Sequence, residues 1–305
     1  MKKEIREVQQ GVVRVTTTDE RWYGRQIADP ATKLPVWQYV PSVTWICEYY
    51  PKGIGFYKWL ANTGWDESQA LKEAAGGRGT KVHNAIGDLL DGKTVEIDAL
   101  YMNPMTGQPE SLTLEEYQAV MSFASWHQRT KPITVAKELT VFNDAHGYAG
   151  TVDYLCTIQG ELWLIDFKTS KSVWPGHRMQ VSAYKQANPE WANAKLALLQ
   201  VGYERNKDGY KLTEIEDCFP LFLASKAIWA AETVGQSPLQ RDYPVQISLA
   251  PAAAAPGSAA TQGATAGGNG HGESGRGTDA VGVRKSGRGR VVARERAGSP
   301  VRREP

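Results

Sequence analysis

The sequence predicts a mixed α/β protein in which helices flank a central mixed β-sheet and a disordered tail follows. The composition, with 41% hydrophobic and 22% charged residues, is close to that of soluble globular proteins. Strand-like and helix-like segments alternate along the first 250 residues. All ten Trp and all thirteen Tyr also precede residue 250. We therefore expect one folded domain over residues 1–250 and a disordered Ala/Gly/Arg-rich tail over residues 251–305.

Hydrophobic periodicity and turn residues indicate the order of the elements along the domain. The predicted elements are, in order, strands at 12–17 and 36–40, helices beginning at 42, at 80–90 and at 114–129, strands at 133–142, 150–158 and 161–168, a helix at 175–187, a strand at 196–203, and a helix at 222–234. Ser42 and Thr113 are N-cap candidates, because their side chains can accept a hydrogen bond from the first helical turn. Gly92 ends one helix, and Asp208-Gly209 predicts a hairpin turn.

The net charge of +2 is the average of two unlike parts. The tail carries nine Lys/Arg against four Asp/Glu, whereas the first 250 residues carry 26 basic and 29 acidic groups. The domain is therefore not a uniformly basic nucleic-acid binder, and any contact with phosphate there must be local. The Arg/Gly segment of the tail either adds loose affinity for nucleic acid or is solvated charge on a linker.

Neither a membrane segment nor a disulfide framework is predicted. No run of eighteen apolar residues occurs, and polar residues follow the N-terminal Met-Lys-Lys-Glu. The three cysteines, Cys47, Cys156 and Cys218, are odd in number and far apart, so a CxxC metal site is not supported either. We expect a cytoplasmic protein of a bacterial or phage-infected cell that does not bind membranes.

The most informative stretch runs from Gly150 to Lys168. A two-residue turn at Gln159-Gly160 would set Asp153 directly opposite Asp166, with side chains about 5 Å apart on one sheet face. Like charges so placed repel, and a divalent cation between them would convert the repulsion into ligation. Oxygen ligands suit Mg²⁺ or Mn²⁺. Because strand side chains alternate, Lys168 projects from the same face as Asp166.

These groups are suited to phosphodiester hydrolysis. Carboxylates hold a metal that screens the phosphate, while a lysine orients the attacking water or stabilises developing charge. An Asp/Glu-x-Lys triplet alone is weak, since about two arise by chance in a chain of this composition. The wider pattern is more specific: Gly150-Thr151-Val152-Asp153, then Asp166-Phe167-Lys168, then Gln180 twelve residues later and Tyr184 one helical turn beyond it.

This pattern resembles the PD-(D/E)XK nuclease superfamily, most closely the branch that contains the RecB nuclease domain, CRISPR-adaptation exonucleases and many phage exonucleases. The resemblance covers residues 41–203 and implies a restriction-endonuclease-like core. It implies that Asp153, Asp166 and Lys168 are catalytic and that the two acids hold the metal together with the Phe167 backbone carbonyl. It further implies a DNA nuclease, with an exonuclease favoured over a structure-selective endonuclease.

Two residues upstream of the hairpin also match the family's pattern. His83 corresponds to a histidine on an upstream helix, which implies a metal ligand, although a lone histidine beside an apolar stripe is more often a hydrogen-bonded core residue. Glu138 corresponds to a glutamate one strand before the Gly-x-x-Asp motif. Either it acts catalytically near the metal, or it is an exposed strand acid beside Lys137.

The remaining site residues are expected to contact DNA. The resemblance implies that Gln180 and Tyr184 bind DNA or orient Lys168. The segment Pro41-Ser42-Val43-Thr44 is similar to an N-terminal motif of phage members, which implies that Ser42 and Thr44 contact DNA. Trp174, on the loop after Lys168, is the best candidate for stacking a base, whereas most other tryptophans are expected in the core.

The predicted cofactor is Mg²⁺ or Mn²⁺, and the partner is DNA, with a recombination, annealing or single-strand-binding protein as a further candidate. An iron–sulfur cluster held by four cysteines is not expected from three. No Walker A sequence is present, so helicase activity is not encoded here. The rival hypothesis is a non-catalytic DNA-binding or assembly protein that keeps the fold.

Overall fold

A computed structural model describes residues 4–17, 19–236 and 238. The predicted tail at 251–305 and the predicted boundary at 250 lie outside the described residues. Within them the predicted mixed α/β class is confirmed. The strands are β1 (Glu4–Gln9), β2 (Val12–Thr16), β3 (Arg21–Ala28), β4 (Pro35–Pro41), β5 (Leu100–Asn103), β6 (Gln108–Ser111), β7 (Ile133–Asn143), β8 (Tyr148–Ile158), β9 (Glu161–Lys168), β10 (Lys195–Val201) and β11 (Tyr210–Ile215). The helices are α1 (Val43–Glu48), α2 (Ile54–Thr63), α3 (Trp65–Leu90), α4 (Leu114–Thr130), α5 (Pro175–Lys185) and α6 (Phe219–Glu232), with a short 3-10 turn at Pro189–Trp191.

A five-stranded sheet in the order β11-β10-β9-β8-β7 forms the centre of the fold. β9 and β10 pair in parallel, and the other neighbours are antiparallel. The parallel pair needs a crossover connection, and α5 provides it. The site-bearing strands β8 and β9 therefore lie in the middle of the sheet, where both of their faces are covered.

The two faces of this sheet pack against different helices. On one face, Val82 and Ile86 of α3 and Phe123 of α4 join a core that includes Phe167. On the other face, α1, α5 and α6 contribute residues such as Ile46, Met179 and Phe222 to a second core. Side-chain alternation along β9 assigns Leu164 to this second core, so Asp166 and Lys168 project toward α1 and α5.

A four-stranded antiparallel sheet, β1-β2-β3-β4, leads into α1. The strands β2 and β4 were predicted, whereas β1 and β3 were not. Ser42 caps α1 as expected, since its hydroxyl accepts a hydrogen bond from the Trp45 N–H at 3.0 Å. Trp45 packs edge-on against Trp22 of β3 and Trp229 of α6, with ring centroids 5.1 and 5.3 Å away. These contacts fix the direction in which α1 meets the central sheet.

Three other elements differ from the prediction. Helix α3 begins at Trp65 and not near residue 80. Gly76, Gly77 and Gly79 have low helix propensity and precede the predicted start, but they lie inside the observed helix. Gly77 has a packing role there, since a β-carbon would come within 3.0 Å of the Asn103 side chain of β5. Helix α2 and the β5-β6 hairpin were not predicted. None of the helices in the described ranges has the length and apolarity needed to cross a membrane.

Candidate active site

The hairpin between β8 and β9 has the predicted register. Ile158 pairs with Glu161, and Tyr154 pairs with Ile165. Gln159 and Gly160 both adopt positive φ, at 51° and 85°, which is the conformation that a type I′ turn requires at its two central positions. The turn therefore sets the register that directs Asp153 and Asp166 to the same end of the sheet.

The ladder between β8 and β9 ends just before these two acids. Beyond the Tyr154–Ile165 pair, the Phe167 N–H donates a hydrogen bond of 2.8 Å to Asp153 Oδ2 instead of to a backbone carbonyl. The Asp153 side chain is 12% exposed and that of Asp166 is 1% exposed. Burial is the largest effect on both carboxyl groups and raises the pKa of each above its ordinary value.

Lys168 is held by one acid and one amide. Its Nζ lies 2.5 Å from Asp166 Oδ2 and donates a hydrogen bond of 3.1 Å to Gln180 Oε1. Burial lowers the pKa of Lys168, but the charges of Asp166 and Asp153 outweigh this effect and the pKa is raised. Lys168 is therefore an ammonium at neutral pH, which suits charge stabilisation and the positioning of water better than proton abstraction.

A hydrogen-bond chain on α5 fixes Gln180. Gln180 Nε2 donates to the Tyr184 hydroxyl at 2.8 Å, and the Tyr184 side chain is only 2% exposed. The Tyr184 ring lies against Gly150, where a β-carbon would come 2.4 Å from Tyr184 Cε1. This close approach explains the glycine of the Gly-x-x-Asp motif. In this placement Tyr184 positions Gln180, and through it Lys168, from beneath the surface.

His83 and Glu138 approach the acids from two other elements. His83 Nε2 lies 3.1 Å from the Phe167 carbonyl oxygen, and His83 Nδ1 lies 3.6 Å from Asp153 Oδ2. One potential ligand atom from each of His83, Glu138 and Asp153 lies within 4.8 Å of the others. The structure therefore brings together residues that are up to 84 positions apart in the sequence.

The backbone of Glu138 is unusual for a strand. Its φ is 47°, a left-handed conformation that costs a non-glycine residue on the order of 1–3 kcal/mol. Lys137 pairs with Tyr154 and Leu139 with Val152, so Glu138 lies across from Asp153. Strain of this kind is common at functional sites. Here it accompanies a carboxylate that reaches the cluster of Asp153 and His83.

The donor set fits a hard divalent cation. Asp166 is buried, and neither of its carboxylate oxygens accepts a hydrogen bond of good geometry from any described residue, although Oδ2 contacts Lys168 Nζ. Two buried carboxylates need compensation that one lysine cannot supply in full. A cation held by Asp153, Asp166, the Phe167 carbonyl and His83, beside Glu138, would provide it, and oxygen-rich ligands favour Mg²⁺ or Mn²⁺.

The residues expected to contact DNA are placed differently from one another. Ser42 is 1% exposed and its hydroxyl caps α1, so its placement indicates a structural role. Thr44 is half-buried and Trp174 is 59% exposed, and both line a cavity next to Gln180. Four tryptophans, including Trp174, are exposed: Trp37, Trp59, Trp65 and Trp174.

His177 is a site residue that the sequence analysis did not identify. It lies one turn before Gln180 on α5, and burial followed by the charge of Lys168 lowers the pKa of His177 to about 4. Its imidazole is therefore neutral near pH 7, and Nδ1 accepts a weak hydrogen bond of 3.4 Å from the Trp174 N–H. The spacing of three residues from Gln180 was the available signal, because it places both side chains on one helix face.

Comparisons with known proteins show only a distant likeness. No protein-family model matches the sequence, and no curated protein matches it significantly. Among solved structures, an alkaline exonuclease from Laribacter hongkongensis is similar over 62% of this chain and 84% of its own, at 12% identity and a TM-score of 0.33. SSO0001 is similar over 52% of this chain and 86% of its own, at 12% identity and a TM-score of 0.27. Scores this low carry no argument about the activity of this chain.

Proposed function

We propose that this chain is a metal-dependent deoxyribonuclease of the PD-(D/E)XK superfamily that hydrolyses phosphodiester bonds. The observation that carries the proposal is the cluster of His83, Glu138 and Asp153, with the contact between buried Asp166 and Lys168 on the neighbouring strand. The charges of Asp153 and His83 act on Asp166. Burying two carboxylates and an ammonium costs stability, and ionisable groups kept buried beside one another at such a cost cluster at functional sites.

Each of these side chains has a role in the proposed reaction. When bound, Mg²⁺ or Mn²⁺ would supply Lewis-acid activation of water and of the phosphate. Lys168, held by Gln180, would orient the attacking water and stabilise the negative charge that develops on the phosphate oxygens. Glu138, the exposed acid of the cluster, would accept the proton of that water at its carboxylate. The water oxygen forms the new P–O bond, the bond from phosphorus to the leaving oxygen breaks, and the leaving oxygen takes up a proton from solvent.

An exonuclease acting in recombination, repair or phage DNA processing is the favoured form of this activity. A structure-selective endonuclease would use the same residues. A non-catalytic DNA-binding or assembly protein is less well supported, because Asp153, Asp166 and Lys168 are all present. Lys168 contacts Asp166, and its charge acts on Asp153. A recombination, annealing or single-strand-binding protein is the proposed class of protein partner.

A cleavage assay and a calorimetric titration together test metal binding, phosphodiester hydrolysis and the need for a free DNA end. End-labelled linear DNA and covalently closed circular DNA are incubated with the full chain in Mg²⁺ or Mn²⁺, and Mn²⁺ binding is measured by calorimetry. We expect Asp153→Asn and Asp166→Asn to abolish cleavage and to weaken or abolish Mn²⁺ binding. Asp98→Asn is the matched control, because Asp98 is an exposed carboxylate outside the site.

The outcomes separate the alternatives. Degradation of linear DNA with the closed circle intact supports the exonuclease, and cutting of the circle supports the endonuclease. Wild-type Mn²⁺ affinity in both site variants would contradict the metal site. Metal binding and DNA binding without any cleavage would support the non-catalytic alternative.

A further inference from the structure

A large apolar cavity opens beside the candidate active site. It has a volume of about 1060 Å³ and lies between α2, the loop that follows α1, and the start of α5. Of the Phe, Trp and Tyr side chains that line it, Tyr50 is half-buried, and the three exposed ones form its aromatic wall: Phe56 and Trp59 from α2 and Trp174 from the loop before α5. Gln180, which accepts the hydrogen bond from Lys168 Nζ, also lines it. Gln180 therefore connects the cavity with the candidate catalytic lysine.

The aromatic wall is not part of the protein core. Helix α2 has no buried residue. Phe56 is 41% exposed, Trp59 is 42% exposed, and Trp174 is 59% exposed. Exposed apolar surface of this extent indicates an interaction site, because its exposure to water is unfavourable. The two aromatic side chains of α2 lie close together, with ring centroids 5.8 Å apart, and form one continuous surface.

We infer that this cavity holds unpaired bases of the DNA strand being cleaved, an inference that rests on the proposed function. When a DNA phosphate lies next to Lys168, the bases one or two nucleotides away lie close to it as well. Gln180 contacts Lys168 and lines the cavity, so these bases can reach the aromatic wall. Bases stack on aromatic rings irrespective of their sequence. In a duplex the bases stack on one another instead. The preferred substrate is therefore single-stranded DNA or a frayed end.

Other features of the cavity agree with a nucleotide as the occupant. Lys52 supplies a positive charge at the wall for a phosphate, and His177 supplies a neutral ring. A protein segment or a second copy of the chain would also cover apolar rings. Such an occupant, however, would lie against Gln180 and obstruct the approach of DNA to Lys168. Continuity with the candidate active site therefore favours the substrate itself.

The test removes bases from the DNA without changing its backbone. Affinities of the full chain for single-stranded oligonucleotides are measured in Ca²⁺, with an abasic nucleotide placed at each position near the end in turn. One or two positions should weaken binding about 5- to 140-fold, the range for loss of one stacked base. Trp59→Ala should weaken binding of intact DNA similarly and should remove the sensitivity to the abasic nucleotide. Trp174→Ala is a second variant at the same wall.

Trp65→Ala is the matched control, because Trp65 is 67% exposed and lies outside the cavity wall. It should bind and discriminate as the wild type does. Equal abasic penalties in the wild type and in both wall variants would overturn the inference. So would a change of oligomeric state in sedimentation for Trp59→Ala with unchanged DNA affinity, since the cavity would then be an interface between copies.

A cleavage assay on the same oligonucleotides, with Mg²⁺ or Mn²⁺ in place of Ca²⁺, distinguishes this inference from the proposed function. A wild type that cleaves DNA in Mg²⁺ but binds abasic and intact strands equally would overturn the base-binding cavity and leave the nuclease standing. A wild type that cleaves no DNA in Mg²⁺ or Mn²⁺ would overturn both.

Discussion

The contact between Gly150 and Tyr184 gives a sharp test of how Lys168 is positioned. In Gly150→Ala, the new β-carbon would lie 2.4 Å from Tyr184 Cε1, whereas ordinary van der Waals contact begins near 3.4 Å. The ring must therefore shift by about 1 Å, and it is buried, so the shift is opposed by its neighbours. Overpacking of this kind costs about 1–3 kcal/mol, which lowers Tm by roughly 2–12 °C in a domain of this size.

The same shift should reduce turnover. The Tyr184 hydroxyl accepts the hydrogen bond of Gln180, and Gln180 accepts that of Lys168. A displacement of about 1 Å at a reacting group costs up to about a hundredfold in rate. We therefore expect kcat on end-labelled DNA to fall by roughly tenfold to a hundredfold. DNA affinity in Ca²⁺ should change much less.

Two further variants identify the cause. Gly87→Ala in α3 is the control, because the nearest atom to its new β-carbon, Lys137 Nζ, is 3.9 Å away. It should leave stability unchanged or raise it by about 0.5–1 kcal/mol. In a Tyr184→Ala background the cost of Gly150→Ala should disappear, since the ring that it meets is gone. An equal cost in both backgrounds would show that the clash is not the cause.

Three other variants test the charges of the site and of the tail. Lys168→Met should lower turnover about a hundredfold or more with little change in DNA affinity in Ca²⁺, and a rate near wild type would make Lys168 structural. The pKa of His177 is lowered from 6.5 to about 4, so the unfolded chain takes up its proton first as the pH falls. The unfolding free energy should therefore drop between about pH 6.5 and 4 by at most about 3 kcal/mol more in the wild type than in His177→Gln, and parallel pH curves would contradict the burial of this ring. Removal of residues 251–305 takes away five net positive charges, so the slope of log K against log salt for single-stranded DNA should flatten by at most about 3.5 with turnover at saturation unchanged. Lost turnover would show that the tail belongs to the domain.

The central hairpin could be predicted from sequence because its geometry is local. A Gln-Gly turn and strict alternation are enough to place Asp153 opposite Asp166, and the observed register of β8 and β9 agrees. Helix caps at Ser42 and Thr113 were likewise local signals, and both side chains accept hydrogen bonds from the first turn of the helix that follows. In each case the interacting groups lie within a few residues of one another in the chain.

Other parts of the site depend on contacts that the sequence does not record. Glu138 has a left-handed backbone conformation, but glutamate is not a residue type that indicates this conformation in a sequence, as glycine or asparagine would. The burial of Tyr184 follows from its packing on Gly150, 34 residues away, and not from its own helix face. Helix α2 was not predicted, and none of its residues is buried; its aromatic residues Phe56 and Trp59 line a cavity and do not pack in the core.

The short turn between β8 and β9 also bears on the order of folding. Segments joined by two residues lose little entropy on pairing, and hairpins form in about 1–10 µs. The parallel pairing of β9 with β10 must await the α5 crossover, a slower non-local event. A refolding chain therefore brings Asp153 and Asp166 together before Gln180 arrives to hold Lys168. Divalent cations should then accelerate the earliest stage of folding, by relieving repulsion between two carboxylates for which the hairpin itself supplies one counter-charge, Lys168.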